Sequence, residues 1–330
     1  MKQGVSIMYG NSLAGMKSRS LLKREAFDRM IEAPSLDEAV KVLYENDYGG
    51  GMTLENAYVF DEILKAEENI LLEFFRDMCA VEACTECFLL PYDYRNAKSA
   101  MKSKYMRIMP TVQDALSGIF DAGRLMTDIQ TEKYEEYTAC MIRGLEETDR
   151  LFAEGKRTPE IIDNILDVSM YNDIMQRVKK VRSSLLEEYF KKEIDCLNIL
   201  SGFRAEYAGV KDDPYVPGGY VSEEVLKGLH GEEIGKPAEE SIAQFGYEKL
   251  LTECREGVGT GAFYKAEAEI YRIKREVIIR GKDDLDTIVP LAAYFLTKKN
   301  EIANLRLILV CKKCGIDNAV IRERLKEGYV

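Results

Sequence analysis

The chain has 330 residues with 46 Lys/Arg against 57 Asp/Glu, a net charge of −11, and 46% of its residues are hydrophobic. That composition supports a buried core and excludes a disordered chain, and so acidic a surface argues against nucleic acid as the main partner. The single histidine, His230, excludes multi-histidine metal sites and makes histidine-based acid–base catalysis improbable.

The length suggests two or three domains. Met1 to Ser6 has no apolar run after its charge, so it does not read as a signal peptide. The longest apolar stretch, Ile288 to Leu296, contains Pro290 and is less than half of the ~20 residues a membrane span needs. A chain of this size needs no disulfide staples. Its eight cysteines are therefore expected to be free thiols in a reducing compartment.

The dominant period along the chain is helical. Ser35 and Glu38 form a capping box after Pro34, and Leu36, Ala39, Val40 and Leu43 share one face of the helix that follows. Gly49-Gly50-Gly51 marks its end. Ile70, Leu71, Phe74, Phe75 and Met78 read as a core stripe at helical spacing. Met109-Pro110 is a breaker. Thr158-Pro159 places a cap and an N1 proline before a face carrying Ile161, Ile162, Ile165 and Leu166. A second breaker runs from Asp212 to Gly219. Gly257-Val258-Gly259-Thr260-Gly261 lacks the spacing and the GK[ST] of a phosphate loop and reads as a helix connector. Val277-Ile278-Ile279 continues a helical pattern, and Gly281 ends it. Cys314-Gly315-Ile316-Asp317 is a stop-and-restart signal. The chain reads as all-α.

The two breaker regions divide the chain near thirds and expose an internal repeat. Asp93 with Asn96 recurs as Asp195 with Asn198 and again as Glu301 with Asn304, the acids lying 102 and 106 residues apart. Phe88, Phe190 and Phe295 precede the three acids by five or six positions. Small or apolar residues follow each asparagine at one, four and five positions: Ala97, Ala100 and Met101; Ile199, Gly202 and Phe203; Leu305, Ile308 and Leu309. The expected domains are three similar helical bundles, 1–108, 109–211 and 212–330. At i, i+3 the acid and the asparagine share a helix face beside an apolar seam. Groups there need partners, for which a free helix end in an adjacent repeat is the natural candidate. The six residues read as a structural repeat motif, not as three carboxylates gathered for chemistry.

With these residues in view, the sequence resembles the C subunit of V-type (A-type) ATP synthases, the family that includes the d subunit of vacuolar ATPases. Tyr9-Gly10-Asn11, Met16 to Leu22 and Leu36 to Tyr48 resemble its start. Asp93 to Lys98 and Phe190 to Arg204 look like its first and second helix signatures. Glu301 to Leu309, with Gly315-Ile316-Asp317, Ile321 to Leu325 and Tyr329-Val330, look like the third. The resemblance implies three helical domains arranged as a funnel. It implies a socket for the central-stalk D and F subunits at one end and a membrane-embedded proteolipid (c/K) ring at the other. It further implies a monomeric, cytoplasmic, peripheral rotor part that contacts the membrane only through the ring and transmits torque coupled to H+ or Na+ transport. No catalytic residue and no cofactor is implied.

Other constellations point elsewhere. Asp283, Asp284 and Asp286 could serve an all-α metal-dependent enzyme, although acids just after Gly281-Lys282 are also what a helix N-terminus favours. Cys84-x-x-Cys87 and Cys311-x-x-Cys314 have zinc-like spacing, but both pairs lie inside helical patterns. A generic helical scaffold with other partners is a third reading. Residues 271–330 carry thirteen Lys/Arg against eight Asp/Glu, so the C-terminal part is basic on an otherwise acidic chain. That suits an acidic partner or a membrane-proximal position as well as a solvated helix face.

Overall fold

The computed structural model describes residues 5–108, 115–210, 215–229 and 236–325. Met109-Pro110, Asp212 to Pro214, His230 and Tyr329-Val330 lie outside them. Every regular element among the described residues is helical. By contacts the chain falls into two compact units, 82–266 and 1–81 with 267–330.

The first of these is built on two long helices, α6 (Glu82–Met106) and α10 (Ser184–Ala208). Helix α6 packs on α7 (Ala122–Gln130) and along α9 (Pro159–Val181), which in turn packs on α8 (Ala139–Ala153). Two ion pairs fix the antiparallel register of α6 and α9: Lys98 with Asp167 at 2.6 Å and Lys102 with Asp163 at 2.7 Å. Moving four residues forward on one helix and four back on the other keeps the pairing on one face. Helix α10 packs on α11 (Glu223–Lys227) and α13 (Glu248–Thr260), with α12 (Lys236–Phe245) against both of these.

In the other unit, α15 (Val289–Lys313) is the central helix. It packs on α1 (Ile7–Ser18), α2 (Arg24–Glu32), α3 (Leu36–Glu45) and α5 (Asp61–Met78). Helix α16 (Asn318–Arg324) lies on α2, where Arg322 pairs with both Asp28 and Glu32. The last long helix thus completes its bundle with the first segment of the chain.

Local signals decide most boundaries. The Ser35 hydroxyl accepts the Glu38 N–H at 3.2 Å, and Leu36, Ala39, Val40 and Leu43 are buried. Pro159 opens α9, but Thr158 makes no side-chain cap to its N–H groups. Asp47 and Gly49 to Gly51 form a left-handed turn with φ between 50° and 78°. At Gly49 a Cβ would lie 2.6 Å from the Ile63 side chain, so glycine is required there for space as well as for backbone conformation. Gly315 at φ 67° closes α15, with the Ile316 N–H bonded to the Cys311 carbonyl, and Asp317 caps α16 through the Ala319 N–H.

Two expectations from the sequence are corrected. Gly257 and Gly259 are not a connector but lie within α13, which Gly261 ends at φ 73°. Helix formation prevails there because the Gly257 face is filled by Phe263, whose ring would meet an added Cβ at 2.5 Å. In α5, Leu71 and Phe75 are buried but Ile70 is exposed. The buried face of α5 runs through Ile63, Leu64, Glu68, Leu71, Leu72 and Phe75, and Ile70 lies at its margin.

The tightest backbone approach is at Gly219, where an added Cβ would lie 2.0 Å from the Asp195 carboxylate. Gly219→Ala is expected to destabilise the protein by about 2 kcal/mol or more, because a fully buried polar contact must move. Gly259→Ala, in open space on a helix, is expected to stabilise it by ~0.5–1 kcal/mol. Chemical denaturation of the two variants beside the wild type checks both signs.

Candidate functional site

The six motif residues lie on α6, α10 and α15, and all are at most 5% exposed. In each copy the acid reaches the stretch of chain that leads into a following short helix. On α6, the N–H groups of Gly118, Ile119 and Phe120 donate to the Asp93 carboxylate at 3.2, 2.7 and 3.2 Å, immediately before Asp121 caps α7. Asn96 donates to the Leu116 carbonyl of the same loop at 2.9 Å. On α10, Tyr220 and Val221 donate their N–H groups to Asp195 at 3.1 and 3.0 Å, immediately before Ser222 caps α11. Asn198 holds Val216 from both sides, donating to its carbonyl at 2.9 Å and accepting its N–H at 2.8 Å. On α15, the Leu22 N–H donates to Glu301 at 2.6 Å, just ahead of α2.

Each carboxylate has further partners suited to its place. The Tyr247 hydroxyl donates to Asp195 at 2.9 Å. Burial pushes the Asp195 carboxyl above the usual range, against the opposing pull of its two N–H donors and Tyr247. Glu301 accepts from the Tyr48 hydroxyl at 3.1 Å and from the Lys298 ammonium at 2.6 Å. Lys298 also reaches Glu67 at 2.7 Å and lies over the Tyr48 ring, and Glu67 accepts the Gly49 N–H at 2.7 Å. Burial, reinforced by Glu301 and Glu67, holds the Tyr48 phenol protonated. These are charge-assisted bonds with multiple donors per acceptor, the arrangement that makes a buried charge tolerable.

The flanking residues serve the same seams. Phe88 and Phe190 contact one another at 5.4 Å between ring centroids, and Phe295 packs on Phe75 at 4.4 Å. Ala97, Ala100, Met101, Ile199, Leu305, Ile308 and Leu309 are buried.

No motif in the sequence marks the loops the acids hold, nor Tyr48, Lys298 and Tyr247 as their partners. Gly118 and Gly219 are a signal that points to two of those loops. They fall 25 and 24 residues after Asp93 and Asp195. A Cβ at Gly118 would lie 2.5 Å from the Asp93 carboxylate, matching the close approach at Gly219.

The remaining candidates do not assemble. Asp283, Asp284 and Asp286 are exposed, and the Asp286 N–H turns back to the Asp284 side chain at 3.3 Å. Among the described residues no three His, Cys, Asp or Glu side chains come together as a metal site. Cys84 and Cys87 are buried in α6, and all eight cysteines are free thiols. A groove of about 790 Å³ between α8 and α9 is lined by Gly144, Ile165, Val168 and Ser169. Two arginines on its rim are engaged: Arg150 with Glu147 and Glu154, Arg143 with the Ala139 carbonyl and the Cys140 sulfur. Among the described residues no helix is long and apolar enough to cross a membrane.

Together these observations define an all-helical protein whose recurrent buried polar groups bind its own backbone. Comparison with known proteins places it more closely. The family model for the ATP synthase (C/AC39) subunit matches residues 11–324, and the chain belongs to that family, a non-catalytic structural component of the complex. It is similar to the A-type ATP synthase C subunit of Methanosarcina acetivorans, at 27% identity over 94% of this chain and 89% of that protein. The corresponding C subunits of Pyrococcus abyssi and Thermococcus kodakarensis are 23% and 25% identical, each over 97% of this chain and 90% of theirs.

Asp195→Asn turns an amide donor toward groups that already donate. It is expected to cost about 1–3 kcal/mol of stability at pH 7. Because the folded chain holds the Asp195 proton more tightly than the unfolded chain, its titration favours folding below the unfolded value of ~3.9. That advantage is lost as pH rises through the folded value. The deficit of Asp195→Asn should therefore be larger at pH 4 than at pH 7; urea melts at both pH values read it, and an equal or reversed deficit contradicts the assignment.

Proposed function

We propose that this chain is the central-rotor subunit of a V-type/A-type ATPase. In this reading it links the D and F stalk subunits to the proteolipid ring on the cytoplasmic side and passes torque between them as H+ or Na+ is moved. It contacts the membrane through the ring and adds no catalytic group. The observation that carries the reading is the family match running through all three motif helices, together with what the motif acids hold. A part that transmits torque has to resist twisting, and the compliant points of a helical protein are the loops between helices. Those loops are where Asp93, Asp195 and Glu301 each fix backbone N–H groups.

The same reading takes the chain as three related helical domains in a funnel-like grouping. The sequence copies 1–108, 109–211 and 212–330 each contain one motif helix: α6, α10 and α15. In each case the acid of that helix holds the loop entering a short helix: α7, α11 or α2. The motif residues are, on this view, the joints of the repeat.

Size-exclusion chromatography with recombinant D and F from the same source is expected to give a stoichiometric complex, and the isolated chain is expected to have no ATPase activity. In a reconstituted complex, omitting the chain should leave ATP hydrolysis by the remaining subunits while abolishing ion transport. Failure of folded components to associate, or transport that persists without the chain, would remove the rotor assignment.

A further inference from the structure

Helix α1 is apolar on two opposite sides. Its inner side is fixed in place. Gly10 lies so close to the end of α5 that an added Cβ would meet the Met78 carbonyl at 2.4 Å. Asn11 donates to the Leu285 and Thr287 carbonyls at 2.9 and 2.8 Å, and Ala14 is buried. Steps of ~100° per residue gather Met8, Tyr9, Ser12, Gly15 and Met16 on the other side, within an arc of ~120°. All of these are exposed, Met8, Tyr9 and Met16 by 58%, 54% and 66%. A helix that is apolar all round is ordinarily buried all round, yet this side of α1 faces solvent.

Gly15 adds an independent observation. It stands inside the helix, where glycine is less stable than alanine. A Cβ there would meet nothing within 4 Å, and the backbone is ordinary helix. Neither space nor conformation within this chain calls for glycine. Ser12, in one row between Met8 and Met16, is small as well, and its hydroxyl turns back to the Met8 carbonyl at 2.8 Å. Bulk that is absent without an internal reason is what lets a second helix approach closely.

Charge narrows the occupant. Ser6 to Arg24 contains no Asp or Glu, in a chain of net charge −11. Lys17 turns away from the open side and lies over the Phe74 ring at 5.0 Å. Arg19, just past the end of the helix and on the open side, is exposed and has no ion-pair partner among the described residues. A bilayer surface rewards bulky apolar side chains flanked by several cations, whereas this side has two small residues and one arginine. A second copy of α1 would bring no carboxylate to Arg19. A partner helix with an apolar side and a carboxylate at one end matches the shape, the small residues and the charge together.

We propose that the open side of α1 is a docking surface for a helix of the central stalk, packed along Met8, Ser12, Gly15 and Met16 with a carboxylate at Arg19. The proposal rests on the rotor reading, in which the stalk and the ring are the partners. A membrane-embedded ring presents the ends of its segments, while a stalk presents their sides, and only a side can follow the ~18 Å length of α1.

The test is isothermal titration calorimetry of the full-length chain with recombinant D–F complex, alongside thermal melts of each variant. Met16→Glu sets a charge inside the contact and is expected to weaken binding about tenfold or more. Gly15→Ala is expected to raise the melting temperature of the free chain and still weaken binding, a combination that damage to the fold cannot produce. Arg19→Glu is expected to weaken binding and flatten its salt dependence. Wild-type binding that Met16→Glu and Gly15→Ala leave unchanged would overturn the proposal and leave the rotor reading standing; failure of the wild type to bind D–F would remove both. A dimer of the chain alone on light scattering, or binding to phosphatidylcholine–phosphatidylserine vesicles, that Met16→Glu abolishes would give the face to another occupant and would also overturn it.

Discussion

A buried carboxylate that receives backbone N–H groups at the entry to the next helix is the constraint on which this structure depends. The N–H groups just ahead of a helix cannot join its ladder, and if buried they need acceptors. Ionised carboxylates are strong acceptors, but only where donors converge on them can they be taken out of water. The two needs meet at Asp93, Asp195 and Glu301. The asparagine one turn later secures the loop a few residues upstream, so that loop is fixed at two points in both copies where its bonds are seen.

The length of the acid then dictates the loop. Aspartate is short, so the backbone must come to it, and both aspartate copies have a glycine where it arrives. Gly118 and Gly219 have carboxylate oxygens 2.5 and 2.0 Å from where a Cβ would stand. Glutamate is one methylene longer. Glu301 reaches its loop at Leu22, preceded by Leu21, with no glycine at the contact. The longer side chain also leaves Glu301 beside Lys298 and Tyr48, where a shared cation and a phenol supply the donors that three successive N–H groups supply to Asp93. One structural task is met by two chemical solutions, each consistent with the residues around it.

How much of this is legible in the sequence follows from distance along the chain. The all-helical class and the spacing of Asp93 with Asn96 and their two recurrences are local patterns, and local patterns survive in a single sequence. The apolar residues after each asparagine are buried because their spacing alone puts them on the seam face. Ile70 departs from its expected burial because it lies at the margin of the buried face of α5, a limit that spacing alone does not reveal. Lys298 is three residues from Glu301 and looks in sequence like an ordinary surface pair; Glu67 and Tyr48, far away along the chain, meet it in the buried structure. The loop partners are hidden for the same reason. Leu22 is 279 residues from Glu301, and nothing in either segment states that they meet.

That last contact carries a consequence for assembly of the fold. Helix α15 directs Glu301 to Leu22 and Tyr48, so its bundle is completed by the segment from Leu22 to α5, far back along the chain. Asp93 and Asp195 find their N–H donors within about 25 residues, a short loop to close. The α15 bundle depends on a far longer closure and adds the Arg322 pairs with Asp28 and Glu32 to the same junction. A long closure disfavours early formation, because chain entropy is lost before the contacts that offset it are made. The α6 and α10 bundles, whose locks are local, are therefore the parts able to form first, with the bundle around α15 completed when both ends of the chain are present.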